Sequence, residues 1–291
     1  MTKIFKFLFL LLAFICVRQF CHQMTAGFAV SKILSHADRE TISIQIPHEE
    51  LSHISRLLDQ PFYFYKKGGQ CFVFMSEDKK TMIKFFKQHH MRFWHWLSRI
   101  SFPGSLDLFR IKLLNKHRHQ TYPYFFHSCE LAYEKFKDQT GLIYLQFAKA
   151  PLIGQKLTLF DKLKIAHTIS LSDTDFVVQK KADPVRKKFK KLIREKNIAL
   201  CQQYIDSILN LIAERCRQGI EDRDFNMRSN FGLLEDKVIE IDIGSYHDNP
   251  SLKDPQAVKI ELVKQTEKFK KWLEKHDQGL ANYLAERIIS F

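Results

Sequence analysis

A short segment near the C-terminal end constrains this chain more than any other: Asp222-Arg223-Asp224, then Asn230-Phe231-Gly232, then Asp242-Ile243-Gly244. The twelve positions from Asn230 to Asp242 make room for two short strands, Phe231 to Leu234 and Val238 to Ile241, joined by the polar turn Glu235-Asp236-Lys237. Upstream, Cys201, Ile205, Ile208, Ile212 and Cys216 recur at helical spacing, which predicts a buried helix from about Ile198 to Arg217. Gly219 stands where such a helix ends, because the left-handed residue that closes a helix is most cheaply a glycine. A long helix, a loop bearing acids, and a hairpin ending in another acid are therefore expected in that order.

Two carboxylates and an amide so grouped match the needs of phosphoryl transfer. One carboxylate orients the accepting hydroxyl, while an Asn and a second carboxylate hold magnesium against the phosphates. The segment resembles the catalytic and metal-binding loops of the protein-kinase-like superfamily, which also contains small-molecule and lipid kinases. Asp222-Arg223-Asp224 matches the family's His-Arg-Asp triplet with Asp in place of His, and Asp242-Ile243-Gly244 matches its Asp-Phe-Gly. The resemblance gives Asp224 the general-base position, with Asp222 a rival, and gives Asn230 and Asp242 the metal. Asp224 and Asn230 lie six positions apart where the family has five, so one residue is expected to bulge out.

A second match lies upstream in the right order. Tyr63-Phe64-Tyr65, Phe72-Val73-Phe74 and Met82-Ile83-Lys84-Phe85-Phe86 read as three strands of a meander, separated by Gly68-Gly69 and by a charged turn. Under the resemblance Gly68 and Gly69 approach the nucleotide phosphates and Lys84, on the third strand, contacts them. A helix from Phe126 to Lys137 then supplies the glutamate that steadies the lysine, Glu134 by preference with Glu130 open. Gly141 to Phe147 and Thr174 to Gln179 are the fourth and fifth strands, and Lys180 to Pro184 the hinge.

Between the lysine strand and that helix, residues 88–124 form an insertion. Phe93, Trp94, Trp96, Leu97, Ile100 and Phe102 alternate there with Arg92, His95 and Arg99, and a second helix, Leu106 to Asn115, follows Pro103-Gly104. Aromatic and basic residues so mixed cap the core of the first lobe, lie at a membrane surface or stack on nucleic-acid bases. A basic run from Arg186 to Lys196 reads as a solvated helix face or as a dock for an anionic substrate. Forty-six Lys and Arg against 32 Asp and Glu leave a formal charge of +14, which implies an acidic partner: nucleotide, nucleic acid, anionic lipid or a negatively charged protein. The kinase resemblance selects a nucleotide and leaves nucleic acid unexpected.

At the start, Lys3 and Lys6 precede the apolar run Phe7 to Val17, too short at eleven residues for a span of about twenty. It fits the core of a secretion signal, an anchor if Thr25-Ala26-Gly27 is not cleaved, or a buried N-terminal helix. Export and ATP-consuming chemistry conflict unless the domain is delivered into a host cell, is anchored facing the cytoplasm, or binds nucleotide without turnover. Cys201 and Cys216, about 22 Å apart on one helix, cannot pair and read as buried thiols. The histidines His89, His90, His95, His117 and His119 lack the acidic neighbours a metal site needs.

Taken together, the expected fold is α+β and two-lobed in the protein-kinase-like manner, with a five-stranded antiparallel first lobe and a small helical second lobe. The divisions are 1–24 for signal or anchor, 40–182 for the first lobe with its insertion, and 183–291 for the second. Some 47 residues follow Gly244, with no Ala-Pro-Glu triplet, so a regulated protein kinase with a long activation segment is not expected. The expected activity is ATP- and Mg2+-dependent transfer of a phosphoryl group to a hydroxyl of a small molecule, lipid, sugar or host protein. Its rivals are a pseudokinase-like nucleotide-binding module and an exported basic protein that associates with membranes or nucleic acid.

Overall fold

The structure is a computed structural model, and it describes residues 2–35, 48–117, 122–147, 154–224 and 226–291. The strand expected over Thr41 to Ile46 lies outside the described residues. The chain is a mixed α+β protein that divides into two compact units, Met1–Phe93 with Tyr144–Val178 and Trp94–Ile143 with Gln179–Phe291. The second therefore takes residues 94–143, which the sequence reading had assigned to the first lobe.

The first unit is built on a seven-stranded sheet. Its first three strands, β1 (Phe62–Lys67), β2 (Cys71–Ser76) and β3 (Thr81–Phe86), form the expected antiparallel meander. β4 (Leu142–Gln146) and β7 (Phe176–Lys180) lie beyond β3, as the order β4-β7-β3-β2-β1-β5-β6 records. The outer pair β5 (Lys156–Phe160) and β6 (Ala166–Ser170) was not read from the sequence. β5 joins β1 in parallel, with Phe62 opposite Leu159 and Tyr63 opposite Phe160. The sheet is thus neither five-stranded nor wholly antiparallel. Tyr63 and Phe160 stack across that junction with ring centroids 4.9 Å apart, which adds an aromatic pair to a two-residue ladder.

Aromatic packing holds this sheet together. Phe28 meets Phe72 and Phe74 edge-on at 5.3 and 5.1 Å, and Phe74, Phe85 and Phe176 continue the chain of rings. All five are buried, and each such side chain contributes roughly 1.5–3 kcal/mol of transfer free energy. Helix α2 (His48–Leu58) adds Ile54 and Leu58 to the same unit. The N-terminal helix α1 (Thr2–Met24) contains a 21-residue stretch of mean hydropathy 2.1, Ile4–Met24, with its apolar side chains exposed. The helix outlasts the eleven-residue run because Arg18 to Met24 continue it, so it is long and apolar enough to cross a membrane. That is compatible with either a signal peptide or an anchor.

The second unit packs helices against two small sheets. Helix α8 (Ile198–Arg217) buries all five residues of the expected stripe and ends at Gly219, whose φ of +73° is left-handed. Cys201 and Cys216 are reduced and buried, with thiol pKa values pushed up to about 11, chiefly by that burial. α7 (Val185–Arg194), α10 (Pro255–Glu274) and α11 (Gln278–Ile289) complete the core through Phe189, Leu262, Phe269, Leu273 and Leu284. Asp254 and Asp277 cap α10 and α11 by accepting from Gln256 and Leu280 N–H. The strands are β8 (Asp183–Pro184), β9 (Ile220–Asp222), β10 (Phe231–Leu234), β11 (Lys237–Glu240) and β12 (Tyr246–Asp248).

Helix α3 (Gln88–Arg99) and α4 (Ser105–Lys116) form the insertion, and α5 (Tyr122–Lys135) and the single turn α6 (Lys137–Thr140) follow. On α5 the stripe Cys129, Tyr133 and, just beyond its end, Phe136 is buried, as expected. The insertion aromatics behave otherwise. Leu97 is buried, but Trp96 and Phe102 are exposed, so they do not act as a core cap.

Candidate functional site

The hairpin β10–β11 pairs Phe231 with Glu240 and Leu234 with Lys237, so its turn is Glu235-Asp236 alone. Lys237 has joined the strand. Met227–Asn230 closes one helical turn, α9, in which Asn230 N–H donates to Asn226 O at 3.1 Å, and this turn absorbs the added residue.

That turn faces Asn230 inward, where it is buried. Its side-chain Nδ2 donates to the backbone carbonyl of Asp224 at 2.7 Å, and the amide also hydrogen-bonds the Asp224 carboxylate. Asp242 follows β11 and lies close enough that its charge raises the Asp224 pKa, second only to partial burial. Its Oδ1 accepts from Gly244 N–H at 3.4 Å, which bends the Asp242-Ile243-Gly244 turn. Asp222, Asp224, Asn230 and Asp242 are therefore neighbours within one unit.

Asp222 differs in kind from Asp224. It is buried on β9, and its Oδ1 accepts from Ser245 Oγ at 2.6 Å and from Asp224 N–H at 3.0 Å. Burial pushes its pKa up to about 7; Arg215 opposes that shift and Glu240 adds to it. The Arg215 guanidinium is buried, with Glu240 on one side and Gln265 Oε1 at 2.7 Å on the other. Tyr246 donates to the second oxygen of Glu240. One cation thus stands between two acids, and its ion pair with Glu240 leaves Asp222 the less compensated.

Two hydroxyls tie down the chain around Asp222 and the Asp242-Ile243-Gly244 turn. Ser128 on α5 donates to Ile243 O at 2.5 Å and accepts from Tyr246 N–H at 2.6 Å, so it pins the chain on the far side of the turn. Ser245 does the same toward Asp222. Neither was singled out in the sequence, where a lone Ser carries no pattern. Arg215 and Glu240 were missed for a related reason: each looks like a surface charge until its partner, 25 positions away, is known.

Of the remaining expected residues, Gly68, Gly69 and Lys84 belong to the first unit and Glu130 and Glu134 to the second. Lys84 is half-buried on β3 of the first unit, opposite Val73. Gly68 N–H donates to Cys71 O at 2.9 Å, closing an ordinary hairpin turn. The carbonyls of Gly68 and Gly69 both accept from Lys87 Nζ, the latter at 2.9 Å. This turn is organised about a buried lysine of its own chain, whose pKa falls to about 8 because of burial and then Lys67. In the second unit, Glu134 is exposed on α5, while Glu130 lies 3.7 Å from His127. Beside α7, a groove of about 450 Å³ carries Lys187, Lys188, Lys190, Lys191 and Arg194 against Asp183 and Glu235, a surplus of positive charge suited to anions.

Among the described residues no three His, Cys, Asp or Glu side chains group closely enough to hold a metal by themselves. Magnesium does not demand that, since it usually keeps its waters and takes one or two carboxylates plus substrate phosphates. The mutual repulsion of Asp224 and Asp242 is the feature here that a divalent cation would relieve.

No protein-family model matches the chain, and no curated protein does. Among solved structures, the complex of Rv3197 with erythromycin from Mycobacterium tuberculosis is similar at 15% identity and a TM-score of 0.36. The match covers 79% of this chain and 60% of that one. At that level the likeness bears on neither fold, activity nor ligand.

Proposed function

We propose that the protein is an ATP- and magnesium-dependent phosphotransferase of atypical kinase-like type, acting on a hydroxyl. The observation that carries the reading is the grouping of Asp224, Asn230 and Asp242 about one loop and one hairpin, with Asp242 raising the pKa of Asp224. Asp224 is the exposed member and takes the role of base; Asp222, enclosed by Ser245 and the Asp224 amide, positions it. Asn230 donates its amide nitrogen to Asp224, and under this reading its side chain and that of Asp242 would hold magnesium. Bound there, the metal would neutralise charge on the phosphates. In the reaction the acceptor oxygen bonds to the γ-phosphorus and the bond to the β-phosphate oxygen breaks. ADP departs with the electron pair, and the hydroxyl proton passes to Asp224. Gly68, Gly69, Lys84 and Glu134 keep the roles that the resemblance assigns them.

The replacement of the family's His by the buried Asp222 favours a second reading, a module that binds nucleotide without turnover. Thermal shift with ATP and magnesium, together with ADP release, separates the two. The phosphotransferase reading expects a magnesium-dependent rise in Tm and slow ADP release, both lost in Asp242→Ala. A rise without release leaves the binding module, and no nucleotide effect in the folded wild-type chain removes both.

A further inference from the structure

Helix α4 has a composition that normally requires burial, yet none of its residues is buried. Six of its twelve residues are large and apolar: Leu106, Leu108, Phe109, Ile111, Leu113 and Leu114. Its inner side is occupied by Asp107, Arg110, Leu113 and Leu114, which are only part-exposed. The outer side presents Leu108 at 70% exposure, Phe109 at 65% and Ile111 at 42%, with Lys112 and Lys116 beside them. Large apolar side chains grouped on an outward helix face are ordinarily covered by something.

The charges on α4 are sorted in the same way. Across residues 88–116 there are five Lys and Arg and one acid, Asp107. Asp107 is consumed by Arg110 at 2.7 Å, and Arg110 also donates to the carbonyls of Leu97 and Ser98, which ties α4 to the end of α3. The outer face therefore mixes aliphatic and aromatic side chains with lysines and no carboxylate. Pairing with a second copy of itself would set lysine against lysine. An anionic lipid surface accepts both components: the apolar side chains enter the acyl boundary and the lysine stems extend to the headgroups.

We infer that the outer face of α4 docks on an anionic lipid surface, with Leu108, Phe109 and Ile111 inserted and Lys112 and Lys116 at headgroup level. The span-length helix α1 of the same chain is consistent with a bilayer being within reach, but the inference stands on α4 and is independent of any phosphotransfer activity.

The test uses the full chain carrying Phe109→Trp, with vesicles of phosphatidylcholine alone or mixed with phosphatidylserine and acyl chains brominated in half the samples. The emission that the variant adds to that of the native tryptophans should be quenched by brominated lipid in the mixed vesicles and not in phosphatidylcholine. The further change Lys112→Gln with Lys116→Gln should raise the lipid concentration required by roughly thirtyfold, at about 1 kcal/mol per basic residue near a charged surface. Leu108→Trp provides the same readout should Phe109→Trp perturb folding. Unquenched emission from vesicle-bound protein, as tethering through α1 alone would give, overturns the inference. Equal quenching in both lipid mixtures, or a blue shift without lipid from self-association, overturns it as well.

Discussion

The side-chain amide of Asn230 donates to the backbone carbonyl of Asp224 at 2.7 Å, so the residue assigned to the metal is also the one that shapes the loop bearing the proposed base. Such a bond, made by a buried side chain, is costly to remove because it leaves the carbonyl without its partner. Asn230→Ala should lose roughly 1–3 kcal/mol of stability, and amide exchange at Asp224 and Asn226 should accelerate. Asp242→Ala should leave both nearly unchanged while removing the magnesium-dependent nucleotide response. Identical behaviour in the two variants would mean that Asn230 acts only as a structural residue or that Asp242 is not a ligand.

Asp222 gives a pH signature. Its folded pKa of about 7 stands above the ordinary 3.8, raised by burial. Between those values the folded chain keeps a proton that the unfolded chain has released. The carboxyl's contribution to stability is therefore full below about pH 4 and lost as pH rises through about 7. Asp222→Asn retains an acceptor for Ser245 and for the Asp224 amide but cannot titrate. Thermal melts across that window should fall with pH in the wild type and fall less in the variant; parallel curves would exclude Asp222 as the titrating group.

How much of this could be read beforehand depends on how local each signal is. The α8 stripe from Cys201 to Cys216, the meander β1 to β3 and the β10–β11 hairpin repeat at the period of their own backbone, and all were legible. β5 and β6 were not, because β5 finds its partner β1 nearly a hundred residues away and in parallel, with no turn between them to mark the pairing. The grouping of Asp224, Asn230 and Asp242 was legible as spacing along one hairpin. Its supports were not: Ser128 reaches Ile243 and Tyr246 from 115 and 118 positions away. Lys87 closes on the glycine turn from the end of β3, where a lysine ordinarily marks the start of solvent.

The buried pair Arg215–Glu240 should be the most sensitive point of the second unit. Arg215 is 1% exposed, with Glu240, Gln265 and the Tyr246 ring around it. Arg215→Met strands Glu240 and Asp222 without a cation, at a cost of about 3–5 kcal/mol. Arg215→Met with Glu240→Gln removes both charges and should recover much of that loss. Urea unfolding of the two variants decides it: a single variant within about 1 kcal/mol of wild type would mean that the pair is not the compensating contact that its burial implies.

Gly219 and Gly69 should respond in opposite ways to a methyl group. Gly219 ends α8 at φ +73°, and a Cβ there would meet Lys253 Cε at 3.1 Å and Pro250 Cα at 3.4 Å. Lys253 can swing aside, but the left-handed backbone remains, and for an L-residue that conformation costs roughly 1–2 kcal/mol. Because the turn at Gly219 leads directly into β9 and Asp222, Gly219→Ala should lower Tm and also displace Asp224, reducing nucleotide-dependent stabilisation. Gly69 has neither a left-handed φ nor any atom within 4 Å of where a Cβ would stand, so Gly69→Ala should leave Tm unchanged or slightly raised by the reduced freedom of the unfolded chain. If the nucleotide response of Gly69→Ala collapses while its Tm holds, close approach of the turn backbone to a phosphate is the remaining reason for glycine there. An unaffected response would show that this turn serves the sheet alone.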